Sequence, residues 1–202
     1  MEEKEFEKYC QFIRVINGLI SEHFEDQKEY IHCKEGCAHC CKNGEYPCSR
    51  MEFEFLKIGF MTLPIDTQQK IVNKIVQLKA EKSVFQGKKF IHECPFLLDD
   101  KCSIYRFRMI ICRTFGLAYY EQSEDPEKPS TIKSPFCMEQ GLNYSDVFDK
   151  ETKTFSKEKF LKTGNKKEPV AYNLGLENLK SKFGKDIMNL DFGETKPLLD
   201  WL

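Results

Sequence analysis

A cluster of four cysteines within nine residues constrains this chain more than any other feature of its sequence. The cluster consists of Cys33, Cys37, Cys40 and Cys41, with the spacing C-x3-C-x2-C-C. Gly36, Gly44 and Pro47 interrupt the surrounding segment, which predicts a loop or a short broken helix. Six further cysteines are spread along the chain: Cys10, Cys48, Cys94, Cys102, Cys112 and Cys137. The fold has to account for all ten thiols.

Charge and composition predict the cellular setting of these thiols. The chain has 202 residues and a net charge of -1, so no basic excess indicates a nucleic-acid partner. Its N-terminus is acidic and amphipathic, unlike a signal peptide, and no apolar run approaches the roughly 18 residues of a membrane span. We therefore predict a cytoplasmic protein without a membrane partner. In a reducing cytoplasm, clustered cysteines are metal ligands or redox groups more often than structural disulfides.

A structural role for the cluster is the simplest alternative. On a helix, its positions i, i+4, i+7 and i+8 would share one face, and buried cysteine packs as a small apolar residue. A core helix would use leucine or isoleucine at some of these positions, so the pattern favours a metal site. Zinc binds thiolates at about 2.3 Å, which requires several of them to converge. Neighbouring side chains diverge, so Cys40 and Cys41 can both be ligands only at a sharp bend or beside two centres.

Histidine and basic residues accompany the cysteines. His32, His39 and His92 lie one or two residues before a cysteine, where they could be metal ligands or, as the pattern favours, could donate to sulfur. Cationic neighbours lower the pKa of thiols. The basic residues close to cysteines in the sequence are Lys34, Lys42, Lys101, Arg106, Arg108 and Arg113.

Periodicity predicts three long helices before the second group of cysteines. Apolar residues at helical spacing predict an amphipathic helix over 3–30. Ser49 and Glu52 have the spacing of a capping box, which predicts a helix over 50–61. After Pro64, Asp66 or Thr67 is expected to cap a third helix that ends near Glu81, with Ile71, Ile75 and Leu78 on its buried stripe.

The remainder of the chain predicts little strand. The segment CPFLLDDKCSIY (94–105) predicts a β-hairpin around Asp99 and Asp100. A polar surface loop is expected over 121–131, a helix over about 170–182, and an amphipathic tail at LLDWL. We predict a mainly α fold with a small β-hairpin, in which an irregular, metal-stabilised, cysteine-rich core packs on amphipathic helices. Residues 1–145 are expected to form the cysteine-cluster domain with its N-terminal helix, and residues 146–202 a helical extension packed on it.

Taken in order, these elements resemble a known family. The order is C-x3-C-x2-C-C, then CPFL at Cys94, then CSIY at Cys102, then YRFRMIICRTF at Cys112, with Glu52 at the start of an intervening helix. This order is similar to that of the YkgJ-like cysteine-cluster family, the zinc- or iron-chelating CxxxCxxCC domains. Met109 stands where that family usually has proline, and the resemblance covers roughly residues 30–140.

The resemblance implies a ligand set and a metal cofactor. The implied ligands are Cys33, Cys37, Cys40, Cys41, Cys94, Cys102, Cys112 and Cys137. An iron–sulfur cluster is slightly favoured over zinc, because the cysteine triplet and the adjacent pair suit a cluster and paired C-x2-C knuckles are absent from the sequence. The same triplet occurs in radical SAM enzymes, but their repeated strand–helix units are not predicted here.

The primary prediction is a metal-binding protein whose biological role, substrate and protein partners the sequence does not assign. Flagellin lysine N-methylases carry a similar cluster, so a cluster-dependent protein-modifying enzyme is an alternative. A metal-storage or thiol redox protein is a third possibility, which would require labile metal and reversibly oxidised thiols.

Overall fold

Helices make up most of the regular structure in the computed structural model, which describes residues 3–34, 36–121 and 131–202. The α-helices are α1 (Glu3–Asp26), α2 (His39–Lys42), α3 (Arg50–Met61), α4 (Ile65–Val84), α5 (Ile110–Thr114), α6 (Lys157–Thr163), α7 (Leu176–Asn178) and α8 (Leu198–Trp201). A π-helix, Leu179–Ile187, continues α7, and 3-10 turns lie at Lys28–Tyr30, Tyr105–Phe107 and Phe136–Gln140. The predicted mainly α fold is confirmed.

Short antiparallel strand pairs complete the secondary structure. The strands are β1 (Pro47–Ser49), β2 (Leu97–Leu98), β3 (Lys101–Cys102), β4 (Tyr119–Glu121), β5 (Thr131–Lys133), β6 (Phe148–Asp149), β7 (Thr154–Phe155) and β8 (Thr195–Pro197). Sequential strands pair as β2–β3, β4–β5 and β6–β7, whereas β1 pairs with the distant β8. The predicted hairpin is β2–β3, and its turn residues Asp99 and Asp100 have φ values of 50° and 57°. The sequence predicted one small hairpin, whereas the described residues contain four antiparallel strand pairs.

The sequence predicted the start of α3 correctly but not that of α4. The capping box of α3 is confirmed, because the Ser49 hydroxyl accepts from the Glu52 amide while the Glu52 carboxylate accepts from the Ser49 amide. The predicted cap of α4 was wrong, since the helix begins at Ile65 with Pro64 as its N-cap. Asp66 therefore lies in the first turn, where a carboxylate interacts favourably with the helix dipole.

The C-terminal third differs from its predicted boundaries. The helix expected over about 170–182 begins at Leu176 and extends to Ile187. The amphipathic tail contains the short helix α8. Residues 122–130 of the expected polar loop lie outside the described residues. No helix in the described ranges is long and apolar enough to cross a membrane.

The described residues form two units, each with its own core. Unit 1 comprises residues 3–11, 36–113 and 188–202, and unit 2 comprises residues 12–34, 114–121 and 131–187. These units describe packing rather than independent folding, so the domain boundary predicted at residue 145 stays a prediction.

The core of unit 1 lies beside three of the predicted ligands. Its buried residues are Cys48, Leu56, Ile71, Phe96, Ile104, Met109 and Leu198. Cys94, Cys102 and Cys112 pack against this cluster. The β1–β8 pair and a 2.8 Å hydrogen bond from the Trp201 indole to the Cys48 carbonyl join the C-terminal tail to the rest of unit 1.

The core of unit 2 is rich in aromatic residues. Its buried residues are Tyr30, Ala118, Met138, Tyr144, Val147, Phe148 and Ala171. The Tyr144 ring stacks on those of Tyr30 and Phe155, with centroids 6.0 Å and 5.4 Å away. This core is distinct from the one that borders Cys94, Cys102 and Cys112.

Candidate metal centre

Backbone hydrogen bonds in unit 1 bring the first cysteine segment to the second. The Cys94 amide donates to the Cys41 carbonyl at 2.7 Å, and the Gly44 amide donates to the His92 carbonyl at 3.3 Å. The Tyr46 hydroxyl donates to the Cys40 carbonyl at 2.7 Å, so a second residue of α2 is held as well. Segments about fifty residues apart in the sequence are thereby adjacent.

The hairpin and α5 supply the next two thiols. Cys102 lies on β3 opposite Leu97, and Cys112 lies within α5. The amide of Ile110, the first residue of α5, donates to the buried Glu52 carboxylate at 2.9 Å. Glu52 thus fixes the helix that carries Cys112.

Cys40, Cys94, Cys102 and Cys112 lie within electrostatic reach of one another. Burial is the main cause that raises the pKa of three of these thiols, to about 12 for Cys94 and well above the ordinary value for Cys112. Negative charge on the neighbouring cysteines raises these pKa values further. Every pair among the four interacts in this way. The structure therefore groups four of the eight predicted ligands.

Other side chains of unit 1 border the same group. Burial is the main cause that raises the pKa of the Tyr46 phenol. Negative charge on Cys40, Cys94 and Cys112 of this group, and on neighbouring Cys41, raises that pKa further. Cations act in the opposite direction: Lys74 lowers the pKa of Cys94, Arg108 lowers those of Cys102 and Cys112, and Arg113 lowers that of Cys102. Arg108 and Arg113, two of the basic residues that lie near cysteines in the sequence, thus lower the pKa values of thiols in this group.

The donor set of this group fits a thiophilic metal. Four thiolates are a complete ligand set for tetrahedral zinc or for an iron–sulfur cluster. Within residues 3–34, 36–121 and 131–202, no group of three or more His, Cys, Asp or Glu side chains already has an arrangement that could hold a metal ion. The chemistry of the donors supports a metal centre, and the metal stabilisation expected from the sequence stays a prediction.

The remaining predicted ligands occupy different places. The Cys41 sulfur lies 4.0 Å from that of Cys40, and Cys37 is a partly exposed residue of unit 1. Cys33 and Cys137 belong to unit 2, where Cys33 is exposed and Cys137 is buried.

Asn143 of unit 2 holds the segment that carries Cys33. Its side-chain oxygen accepts from the amides of His32 and Cys33 at 2.8 Å and 3.1 Å. Its amide nitrogen donates to the Gly116 carbonyl at 2.8 Å and lies 3.4 Å from the Cys33 sulfur. Asn143 is fully buried, so this segment has a fixed backbone.

Cysteines and histidines outside the predicted ligand set have more ordinary surroundings. Cys48 is fully buried in the unit 1 core, and its thiol donates to the Ser49 carbonyl at 3.5 Å. The Nδ1 atom of His92 lies 2.9 Å from the Glu93 carbonyl, and its ring stacks on Phe90. His32 and His39 are exposed. The expected donation from these histidines to sulfur stays a prediction.

Two residues at the site were missed by sequence reasoning. Lys74 donates to the Leu97 carbonyl at 2.9 Å and forms an ion pair with Glu93. Its position on the buried stripe of α4, between Ile71 and Leu78, was a usable signal, since a lysine there needs a polar partner. Tyr46 carried no comparable signal, because only the fold places it beside the thiols.

Comparison with known proteins assigns the chain to a family. No curated protein and no solved structure matches the chain. The family CxxCxxCC, described as "Putative zinc- or iron-chelating domain", matches residues 32–138, which is more than half of the chain. That range contains the four grouped thiols and the other four predicted ligands. The chain therefore belongs to the CxxCxxCC family.

Proposed function

We propose that this protein binds a zinc ion or an iron–sulfur cluster through the thiolates of Cys40, Cys94, Cys102 and Cys112. The observation that carries the proposal is the mutual electrostatic reach of these four thiols in unit 1. The description of the family as zinc- or iron-chelating supports the same conclusion.

Within this proposal an iron–sulfur cluster is the favoured group. The paired C-x2-C knuckles that are usual in structural zinc sites are absent from the sequence, which favours a cluster, although the C-x3-C-x2-C triplet contributes only Cys40 to the four grouped thiols. Either group would cross-link α2, the hairpin and α5 through bonds from their thiolates, which stabilises the folded state over the unfolded one. The chain's own residues contribute the thiolates, exclude water by burial, and supply the neighbouring cations.

Purification without oxygen, followed by iron, zinc and sulfide analysis, tests the proposal. We expect a brown protein that absorbs near 400 nm and contains iron and sulfide in stoichiometric amounts. Each of the four Cys→Ser variants should lose most of the metal, while Cys10→Ser serves as the matched control and should retain it. Zinc without iron would overturn the iron–sulfur version, and a wild-type protein with no bound metal would overturn the proposal itself.

Cys33, Cys37, Cys41 and Cys137 stay predicted ligands. Their Cys→Ser variants, analysed in the same way, test whether a second centre exists. If two centres are present, these variants should lose part of the metal and leave the rest bound. Unchanged metal content in all four would remove them from the ligand set.

A further inference from the structure

Arg108 lies in the sequence between Cys102 and Cys112, two thiols of the proposed site, and its side chain stacks on Tyr105. It follows the 3-10 turn Tyr105–Phe107, and its guanidinium carbon lies 3.8 Å from the centroid of the Tyr105 ring. Its carbonyl accepts from the Nε atom of Arg113 at 3.0 Å. Both its backbone and its side chain are therefore fixed.

The Nε atom of Arg108 is buried, and it has no hydrogen-bond partner among the described residues. A buried donor without an acceptor costs free energy, so native proteins rarely retain one without a function. Arg113 differs in this respect, because its guanidinium donates to the carbonyls of Arg106 and Arg108. Arg106 is exposed.

The positive charge of Arg108 acts on two thiols at once. Its guanidinium lies within electrostatic reach of both the Cys102 and the Cys112 sulfur atoms. Four thiolates around Zn²⁺ carry a net charge of about −2, and a cationic donor beside the sulfur atoms compensates such a charge. Hydrogen bonds to sulfur also set the reduction potential of an iron–sulfur cluster.

We infer that Arg108 is a positioning residue of the metal centre, whose buried Nε–H group donates toward the thiolates of Cys102 and Cys112 when the metal is bound. This inference rests on the proposed function. It assigns to the metal centre a cationic residue that is not one of the metal ligands.

Titration of Co²⁺ into protein stripped of metal, without oxygen, tests the role of Arg108. Arg108→Met should bind Co²⁺ with the wild-type stoichiometry but about 10–100-fold more weakly, which is the usual cost of losing a partner of a ligand. Arg108→Lys should recover part of the affinity because it restores the charge. Arg106→Met, which removes an exposed arginine two residues away, should bind Co²⁺ like the wild type.

Thermal unfolding of the stripped proteins separates positioning from a structural role. Since the Nε atom makes no hydrogen bond within the described residues, stripped Arg108→Met should lose only the stacking on Tyr105 and melt close to the wild-type temperature. A large drop in melting temperature together with no recovery of Co²⁺ affinity in Arg108→Lys would make Arg108 structural and overturn the inference. Unchanged Co²⁺ affinity in Arg108→Met would overturn the inference alone, whereas a wild type that binds no Co²⁺ would overturn the proposed function as well.

Discussion

Glu52 is a single buried carboxylate that connects the start of α3 to the start of α5. One of its oxygens accepts from the amide and hydroxyl of Ser49, at 2.9 Å and 2.6 Å, and the other accepts from the Ile110 amide at 2.9 Å. Every one of these partners is a donor, so the site requires a group that only accepts. A carboxylate satisfies that requirement and a carboxamide does not.

Glu52→Gln should therefore destabilise the protein. Its amide nitrogen would face a donor on one side, which should lower the free energy of unfolding by about 1–3 kcal/mol. Urea unfolding monitored by circular dichroism measures this change. Glu54→Gln is the matched control, because it removes only a surface ion pair with Lys57, worth about 0–1 kcal/mol. Equal losses in the two variants would contradict the role assigned to Glu52.

Two helical glycines show how packing can outweigh the stability that alanine gains from its higher helix propensity. A Cβ atom at Gly59 in α3 would lie 2.5–2.6 Å from Phe107 atoms near the base of its ring, whereas one at Gly18 in α1 would meet nothing within 4 Å. Because those Phe107 atoms lie close to the backbone, they cannot move away freely. Gly59 thus permits α3 to approach the 3-10 turn that precedes α5.

Substitution of these glycines by alanine should have opposite effects. Gly18→Ala should raise the free energy of unfolding by about 0.5–1 kcal/mol, the usual gain in a helix interior. Gly59→Ala should lower it by about 1–3 kcal/mol, because overpacking outweighs the same propensity gain. Thermal unfolding of both variants against the wild type checks the two signs. Stabilisation by Gly59→Ala would show that Phe107 can move away from a Cβ atom.

Elements whose signals are local were predictable from the sequence, and those made by distant contacts were not. Ser49 and Glu52 are three residues apart, so their capping box could be predicted, as could the hairpin turn at Asp99 and Asp100. The pairing of β1 with β8 joins segments nearly 150 residues apart, and no local pattern encodes it.

The candidate site shows the same difference between what the sequence predicts and what depends on distant contacts. The family resemblance predicted Cys40, Cys94, Cys102 and Cys112 among eight ligands, and these four lie within electrostatic reach of one another in the fold. The sequence did not separate these four from Cys33 and Cys137, because the division of the chain into two units depends on packing across its whole length.

The acid stability of the whole molecule should depend on Asp26 of unit 2. Hydrogen bonds from Lys167, Tyr172 and Gln27 hold the pKa of this carboxyl well below its usual range. A lowered folded-state pKa stabilises the protein above the ordinary carboxyl pKa of about 4, and this contribution is lost as the pH falls below that value.

Comparison of wild-type protein with Asp26→Asn between pH 7 and pH 3 checks this dependence. At pH 7 the variant should be less stable in urea, and the difference should shrink as the pH falls below about 4. A difference that stays constant over this range would show that the carboxyl titrates alike in the folded and unfolded chains.

Removal of metal should lower the stability of the whole molecule. A metal that binds only the folded state stabilises it by about 2.7 kcal/mol when its free concentration is 100 times the dissociation constant. Calorimetry should therefore show a higher melting temperature after Zn²⁺ is added to stripped protein. Mg²⁺, which prefers oxygen ligands, is the control and should leave the melting temperature unchanged. No response to Zn²⁺ would contradict coupling between metal binding and folding.

The pairing of β1 with β8 has a consequence for synthesis on the ribosome. The strand after the first cysteine cluster is made early, but its partner, Thr195–Pro197, follows nearly 150 residues later. At about 5–20 residues per second, the delay is on the order of 10 s. During that interval the first cysteine cluster is on a nascent chain whose unit 1 lacks the β1–β8 pair, so we expect oxidants to reach its thiols before unit 1 is complete.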